Sequence, residues 1–167
     1  MSAPAPNSRE RVRNALRAAG LDCAIVETPD SARTAVEAAA AVGTSVGAIV
    51  KSLVFLCDGE PVLALVAGDN RLDETLLGTL AGGRISRADA ARVREHTGFA
   101  IGGVAPLGSL NPLPVFCDAD LLAHEHVWAA AGAPHTVFRI EPQVLVDAVG
   151  AQVAALALRE PGASQDA

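Results

Sequence analysis

Lys51-Ser-Leu-Val-Phe-Leu-Cys57, Asp58-Gly59 and Pro61-Val-Leu-Ala-Leu-Val-Ala67 form the stretch on which the fold turns. Two runs of β-branched and aliphatic residues flank Asp-Gly, a strong turn signal, and predict a β-hairpin entering the core. The first strand begins with the only lysine in the chain: of thirteen Lys and Arg residues, the other twelve are arginine. A compact, flexible ammonium at one position, in a chain that otherwise uses guanidinium, singles out Lys51. Two readings fit it. The stem can lie on the core with the head in water; or the ammonium, partly desolvated and with its pKa lowered, faces a fixed anionic or carbonyl partner.

Outward from the hairpin, the N-terminal side reads as a helix from Ser8, its N-cap, through Ala19, with Gly20 as stop. A short strand over 23–27 follows. A second helix then starts at a capping-box pair, Thr34 and Glu37, and ends at Gly43. On the C-terminal side, Gly68-Asp-Asn-Arg-Leu-Asp73 leaves the second strand and opens a helix to Leu80; as a turn and cap the cluster has an ordinary explanation. Ser86 is expected to cap a helix through His96. Its Arg87, Arg92 and Arg94 are interleaved with Asp89 and Glu95, which describes a solvated face better than a phosphate grip. Strands are predicted over 114–118, 127–130 and 136–140, with a helical turn from Asp120. Pro142 opens a helix through Val149 that ends at Gly150, and 152–158 is a final strand or helix. With no regular βαβ alternation, the expected class is α/β in the α+β sense: a mixed, mostly antiparallel, barrel-like sheet flanked by helices. Residues 8–158 are expected to form one domain, with 1–7 a disordered N-terminus and 159–167 a polar tail.

Composition narrows the function. Half of the 167 residues are apolar, but with four Phe, one Trp and no Tyr, stacking platforms for exposed bases are scarce. The formal charge of −6 argues against a broad basic face for nucleic acid, while leaving room for a local contact. Cys23, Cys57 and Cys117 have no metal or redox spacing and read as small core residues, suiting a reducing compartment. The Met-Ser-Ala-Pro-Ala-Pro start has no signal-peptide character and no apolar run is long enough to span a membrane, so a cytoplasmic protein without a membrane partner is expected. His124-Glu125-His126 resembles a metal pair but lacks a third ligand at useful spacing, and no metal or other cofactor is expected.

A second chemical signal is Gly98-Phe-Ala-Ile-Gly-Gly-Val-Ala-Pro-Leu-Gly108, with four glycines and a proline in eleven residues. It fits neither the Walker A nor the dinucleotide-binding pattern. A Gly-Gly step can aim consecutive N–H groups at one oxygen, as an oxyanion hole requires.

Four blocks taken in order carry a family resemblance: Val46-Gly-Ala-Ile-Val-Lys51-Ser-Leu-Val-Phe55, Gly68-Asp-Asn-Arg-Leu-Asp73, Thr97-Gly-Phe-Ala-Ile-Gly-Gly-Val-Ala-Pro-Leu-Gly108, and Trp128-Ala-Ala-Ala-Gly-Ala-Pro-His-Thr-Val-Phe138 before Pro142. Through them the chain, over about residues 8 to 158, resembles the YbaK-type aminoacyl-tRNA editing domain, also called the prolyl-tRNA synthetase-associated domain. The resemblance implies hydrolysis of the ester joining a wrong amino acid to tRNA, most often tRNA for proline. It implies Lys51 as the main functional side chain, Gly102 and Gly103 against the substrate, and Thr34, Asn70 and His135 lining the pocket. The implied partners are the acceptor end of an aminoacyl-tRNA and a prolyl-tRNA synthetase. With no room here for a synthetase domain, action in trans is expected. An aminoacyl ester is already activated, so positioned water and oxyanion stabilisation suffice. On this reading the Gly102 and Gly103 amides receive the developing charge, and Lys51 holds the terminal adenosine phosphate or the acyl carbonyl. Two alternatives stand beside it: a non-catalytic tRNA- or small-molecule-binding module with the same fold, and a lyase whose desolvated Lys51 forms a Schiff base.

Overall fold

The computed structural model describes residues 7–159. The terminal segments assigned from sequence lie outside it, apart from Arg159 and Asn7. Asn7 belongs to the domain, because its side chain accepts a hydrogen bond from Glu10 N while Glu10 reaches back to Asn7 N. That capping box, one residue earlier than the expected Ser8 cap, opens α1 (Ser8–Ala18).

β1 (Ile25–Glu27) follows, then α2 (Ala35–Val42), which Thr34 caps and Gly43 ends in the left-handed conformation. A 3-10 turn at Val46–Ala48 leads into β2 (Val50–Cys57), and β3 (Glu60–Ala67) returns antiparallel to it. The two-residue connection has positive φ at both Asp58 (50°) and Gly59 (85°), the geometry whose twist matches a hairpin. Then come α3 (Glu74–Ala81), β4 (Ile85–Arg87), α4 (Ala90–Thr97), β5 (Val115–Asp118), a 3-10 turn at Ala119–Ala123, β6 (Val127–Ala130), β7 (Thr136–Ile140), α5 (Pro142–Val149) and β8 (Gln152–Ala154).

A further expectation fails. Ser86 caps no helix; it lies within β4, and α4 starts after Asp89, whose carboxylate accepts from Arg92 N at 2.8 Å. The cause is tertiary. β4 pairs antiparallel with Phe55–Cys57 of β2, and Asp58 fastens its start, donating its own N–H to Arg84 O and accepting from Arg84 N at 3.0 Å.

The strands form two sheets, in the orders β1-β7-β6 and β4-β2-β3-β5-β8. Pairing is mixed: β3 with β5 and β5 with β8 are parallel, and the other strand pairs are antiparallel. A parallel bridge between Ile49 and Trp128 joins the sheets, and among the described residues no ladder closes them into a barrel. Alternate residues of β3 serve two cores. Leu63, Leu65 and Ala67 pack with Val12, Leu16, Phe99 and Phe138 in the larger one. Val62, Ala64 and Val66 pack with Phe55, Leu77 and Leu156 in the smaller, on the side of α3. The hairpin is therefore covered on both faces, which is why its sequence runs apolar without alternation.

Candidate functional site

β4 reaches only as far as Phe55, so the first half of β2, from Lys51 to Val54, has one edge to which, among the described residues, no strand is hydrogen-bonded. Along that edge opens a cavity of about 690 Å³, lined among others by Thr34, Lys51, Gly102, Trp128 and His135. Four of the six residues singled out from sequence thus meet in one cavity although they span 101 positions of chain, from 34 to 135. Asn70 and Gly103 do not line it.

Lys51 Nζ donates to the main-chain carbonyl of Asn70. Burial lowers its pKa, and the charges of Asp69 and Asp118 act in the opposite direction without restoring the ordinary value. An ammonium has three donors, and among the described residues only this one hydrogen bond is made by protein. Two N–H groups are therefore left without a protein acceptor among the described residues.

The turn that presents Asn70 O is built by Asn70 itself. Its N–H closes a turn onto Ala67 O at 2.9 Å, and its side-chain amide donates to Asp118 Oδ2 (2.9 Å) and Asp120 Oδ2 (2.7 Å). The Asn70 side chain thus faces the carboxylates, and it is the backbone carbonyl that serves the site.

The two glycines divide their work. Gly103 N–H donates to Ala100 O at 2.9 Å, and a Cβ at Gly103 would lie 2.8 Å from the Ala133 backbone, so this glycine permits two chain segments to touch. Gly102 has φ 92°, lines the cavity, has open space where a Cβ would stand, and makes no hydrogen bond through its N–H among the described residues. The free amide is the Gly102 one.

His135 follows the Ala133-Pro134 step that Gly103 touches and has φ 62°, rare for a residue with a side chain. Its carbonyl accepts from Thr28 N at 2.7 Å, while Nδ1 is buried without a partner. Ser52 Oγ, beside Lys51 in sequence and also in the cavity wall, is likewise buried and unpartnered. Thr34 accepts from Glu37 N at 3.1 Å as a cap. Sequence reading missed Ser52 and Asp118. A hydroxyl inside an apolar strand and an acid closing the apolar run Val115-Phe-Cys-Asp118 were the available signals. The side chains of His124 and Asp69 both lie against Gly47, and among the described residues no group of three His, Cys, Asp or Glu side chains comes together to hold a metal.

A mixed two-sheet domain with a lysine anchored at the edge of a cavity and a glycine loop in its wall defines the class, and comparison with known proteins gives the family. Residues 29–148 match the aminoacyl-tRNA editing domain, and the chain belongs to that family. A solved structure reported as a "putative trans-editing enzyme for prolyl tRNA synthetase" is 49% identical, with a TM-score of 0.87 over 94% of this chain and 100% of that one. The proline–tRNA ligase of Nitratidesulfovibrio vulgaris (strain DP4) is 40% identical over 106 residues, which are 63% of this chain and 18% of the ligase. The chain therefore matches less than a fifth of that ligase. The uncharacterised protein YwhH of Bacillus subtilis (strain 168) is 31% identical over 72% of this chain and 78% of its own length. No helix among the described residues is long and apolar enough to cross a membrane.

Proposed function

We propose that this protein is a trans-acting deacylase that hydrolyses the ester of mischarged tRNA, foremost tRNA for proline, in the cytoplasm alongside prolyl-tRNA synthetase. The observation that carries the reading is the Lys51 ammonium, fixed by one hydrogen bond at the edge of the cavity with two donors free. The identity to the trans-editing structure and to a segment of a proline–tRNA ligase supports the substrate class.

The chemistry asks little of the protein. Water attacks the ester carbonyl; a tetrahedral oxyanion forms and collapses, breaking the bond to the ribose oxygen and releasing the amino acid. Lys51 takes hold of the acyl carbonyl or the phosphate of the terminal adenosine, and the Gly102 amide faces the growing negative charge. The substrate's free terminal ribose hydroxyl relays the attacking water's proton to the neighbouring ribose oxygen that leaves. His135 Nδ1 and Ser52 Oγ, both without protein partners, are the polar groups that a bound aminoacyl end satisfies. Removal after charging is the useful strategy where small side chains differ by only about 1 to 3 kcal/mol in binding.

The test is release of labelled amino acid from prolyl-tRNAs mischarged with Ala, Cys, Ser or Thr. One ester is cleaved by the wild type, and Lys51→Ala slows that cleavage on the order of 100-fold or more. Because the working form is the ammonium and its pKa is lowered, activity falls as pH rises through that lowered value. Cleavage at the buffer rate by the wild type, or an unimpaired Lys51→Ala, defeats the proposal. Mass added to Lys51 by borohydride with a carbonyl compound moves the Schiff-base reading ahead of it.

A further inference from the structure

Asp118 closes β5 and is completely buried, yet among the described residues it has no ion-pair partner. A carboxylate taken out of water is costly unless hydrogen bonds replace the solvent. Here three do: Oδ2 accepts from Ala67 N at 3.1 Å and from Asn70 Nδ2 at 2.9 Å, and Oδ1 accepts from Asp120 N at 3.0 Å. The donors come from the end of β3, from the turn after it, and from the 3-10 turn that Asp118 itself caps. Asp120 adds a second acceptor for the same Asn70 amide at 2.7 Å, so both hydrogens of one NH₂ group are held. The resulting chain runs from a buried anion to the Asn70 amide, through the fixed Asn70 residue to its carbonyl, and from that carbonyl to the Lys51 ammonium.

From this geometry we propose that Asp118 is a positioning residue for the reaction: through Asn70 it fixes where the Lys51 ammonium stands, and it supplies a buried negative charge behind that ammonium. The inference rests on the deacylase reading for its meaning but not for its test. Lys51 has four side-chain torsions and a single protein anchor; without a fixed carbonyl its two free donors have no fixed direction. The anions acting on Lys51 are Asp69, from the turn after β3, and Asp118. Arg33, Arg71, Glu74, Arg87 and His135 stand elsewhere around the cavity. Removing Asp118 therefore takes away one of two charges that favour the ammonium.

The lysine is the only one in the chain, so protein grown with lysine carrying ¹³C at Cε gives a single lysine resonance, that of Lys51. In Asp118→Asn the amide N–H groups of Ala67 and Asn70 meet a donor as well as an acceptor, and the charge is gone. The Lys51 resonance moves and its titration midpoint falls below that of the wild type. The hydrolysis rate constant drops on the order of 10- to 100-fold, and the alkaline limb of its pH profile shifts in the same direction. Asn70→Ala keeps Asp118 buried and charged while cutting the link; it lowers the rate and moves the resonance even if Asp118→Asn folds poorly. Asn7→Ala, which removes the cap of α1 and breaks no hydrogen bond of Asp118, Asn70 or Lys51, serves as the control for lost stability and leaves the lysine titration where it was. If both Asp118→Asn and Asn70→Ala leave the Lys51 resonance and its midpoint at the wild-type values, the positioning role is overturned. That outcome is independent of whether any tRNA ester is cleaved. An inactive wild type whose Lys51 midpoint still follows Asp118 removes the deacylase reading and keeps the structural link.

Discussion

Two connections border the cavity, and they are restrained in opposite ways. The turn Gly68 to Asp73 is held at its centre, where Asn70 makes three hydrogen bonds of its own and receives one from Lys51. The glycine loop from Gly98 to Gly108 is held at its ends by one side chain from α1: Arg11 donates to Gly98 O at 3.0 Å and to Gly108 O at 3.1 Å, with its guanidinium 5.1 Å from the centre of the Phe99 ring. Past the contact of Gly103 with Ala133, the tip of that loop is left open, with Ile101 58% exposed and the Gly102 N–H unpaired among the described residues. A centrally held turn can hold a charge in place. An end-held loop fixes its position but lets backbone at the tip come close to a ligand. The lysine and the free amide of the proposed reaction arise from these two solutions.

The harshest way to break the contrast is at Gly103, where the loop touches the segment carrying His135. In Gly103→Ala the new methyl group lies 2.8 Å from the Ala133 backbone, so one of the two segments must move. Expected are a loss of about 1 to 3 kcal/mol by chemical denaturation and a fall in kcat/KM on the order of 100-fold. Gly102→Ala meets open space and carries only the strain of its φ of 92°, so it loses less stability than its neighbour. Equal effects at the two positions contradict the division of work between them.

Arg11 tests the ends of the same loop. Arg11→Met keeps much of the stem that packs on the core and removes both hydrogen bonds to carbonyls. The donors are half-buried and charged, so about 2 kcal/mol of stability is expected to be lost. Activity should fall several-fold, with the Lys51 resonance unmoved, because the turn that anchors the lysine is built from other residues. A moved resonance means that the two connections are coupled.

What sequence reading recovered and what it missed follow the same division between local and distant causes. The hairpin about Asp58-Gly59, the Thr34–Glu37 capping box, the Gly43 and Gly150 stops and the bounds of β6 and β7 are each written within a few consecutive residues. Ser86 misleads because the same short stretch has cap chemistry, while the edge of β2, some thirty residues earlier, turns it into a strand. Likewise the side chain of Asn70 bonds to Asp118, 48 residues away, and Gly103 faces Ala133. The resemblance named both residues, but where each one faces is set by partners that no local pattern reveals. Asp118 escaped notice for the same reason: an acid at the end of an apolar strand shows its purpose only when its three donors are seen.

The smallest expected effect concerns the wall that is neither turn nor loop. Thr34 lines the cavity and also caps α2, with Oγ1 accepting from Glu37 N at 3.1 Å and the Glu37 carboxylate accepting from Thr34 N at 3.2 Å. The two roles separate by substitution. Thr34→Ser keeps the cap oxygen and removes only a methyl group, whereas Thr34→Ala removes the oxygen and costs about 1 kcal/mol. If capping is the whole of its role, Ser retains both wild-type stability and wild-type kcat/KM on the cleaved ester, and Ala loses stability with only a small change in rate. If the methyl group shapes the cavity for the amino-acid side chain, Ser leaves stability unchanged but alters the preference among the Ala, Cys, Ser and Thr esters. In that case α2 is a specificity wall held by its own cap, a third way of building one side of the site.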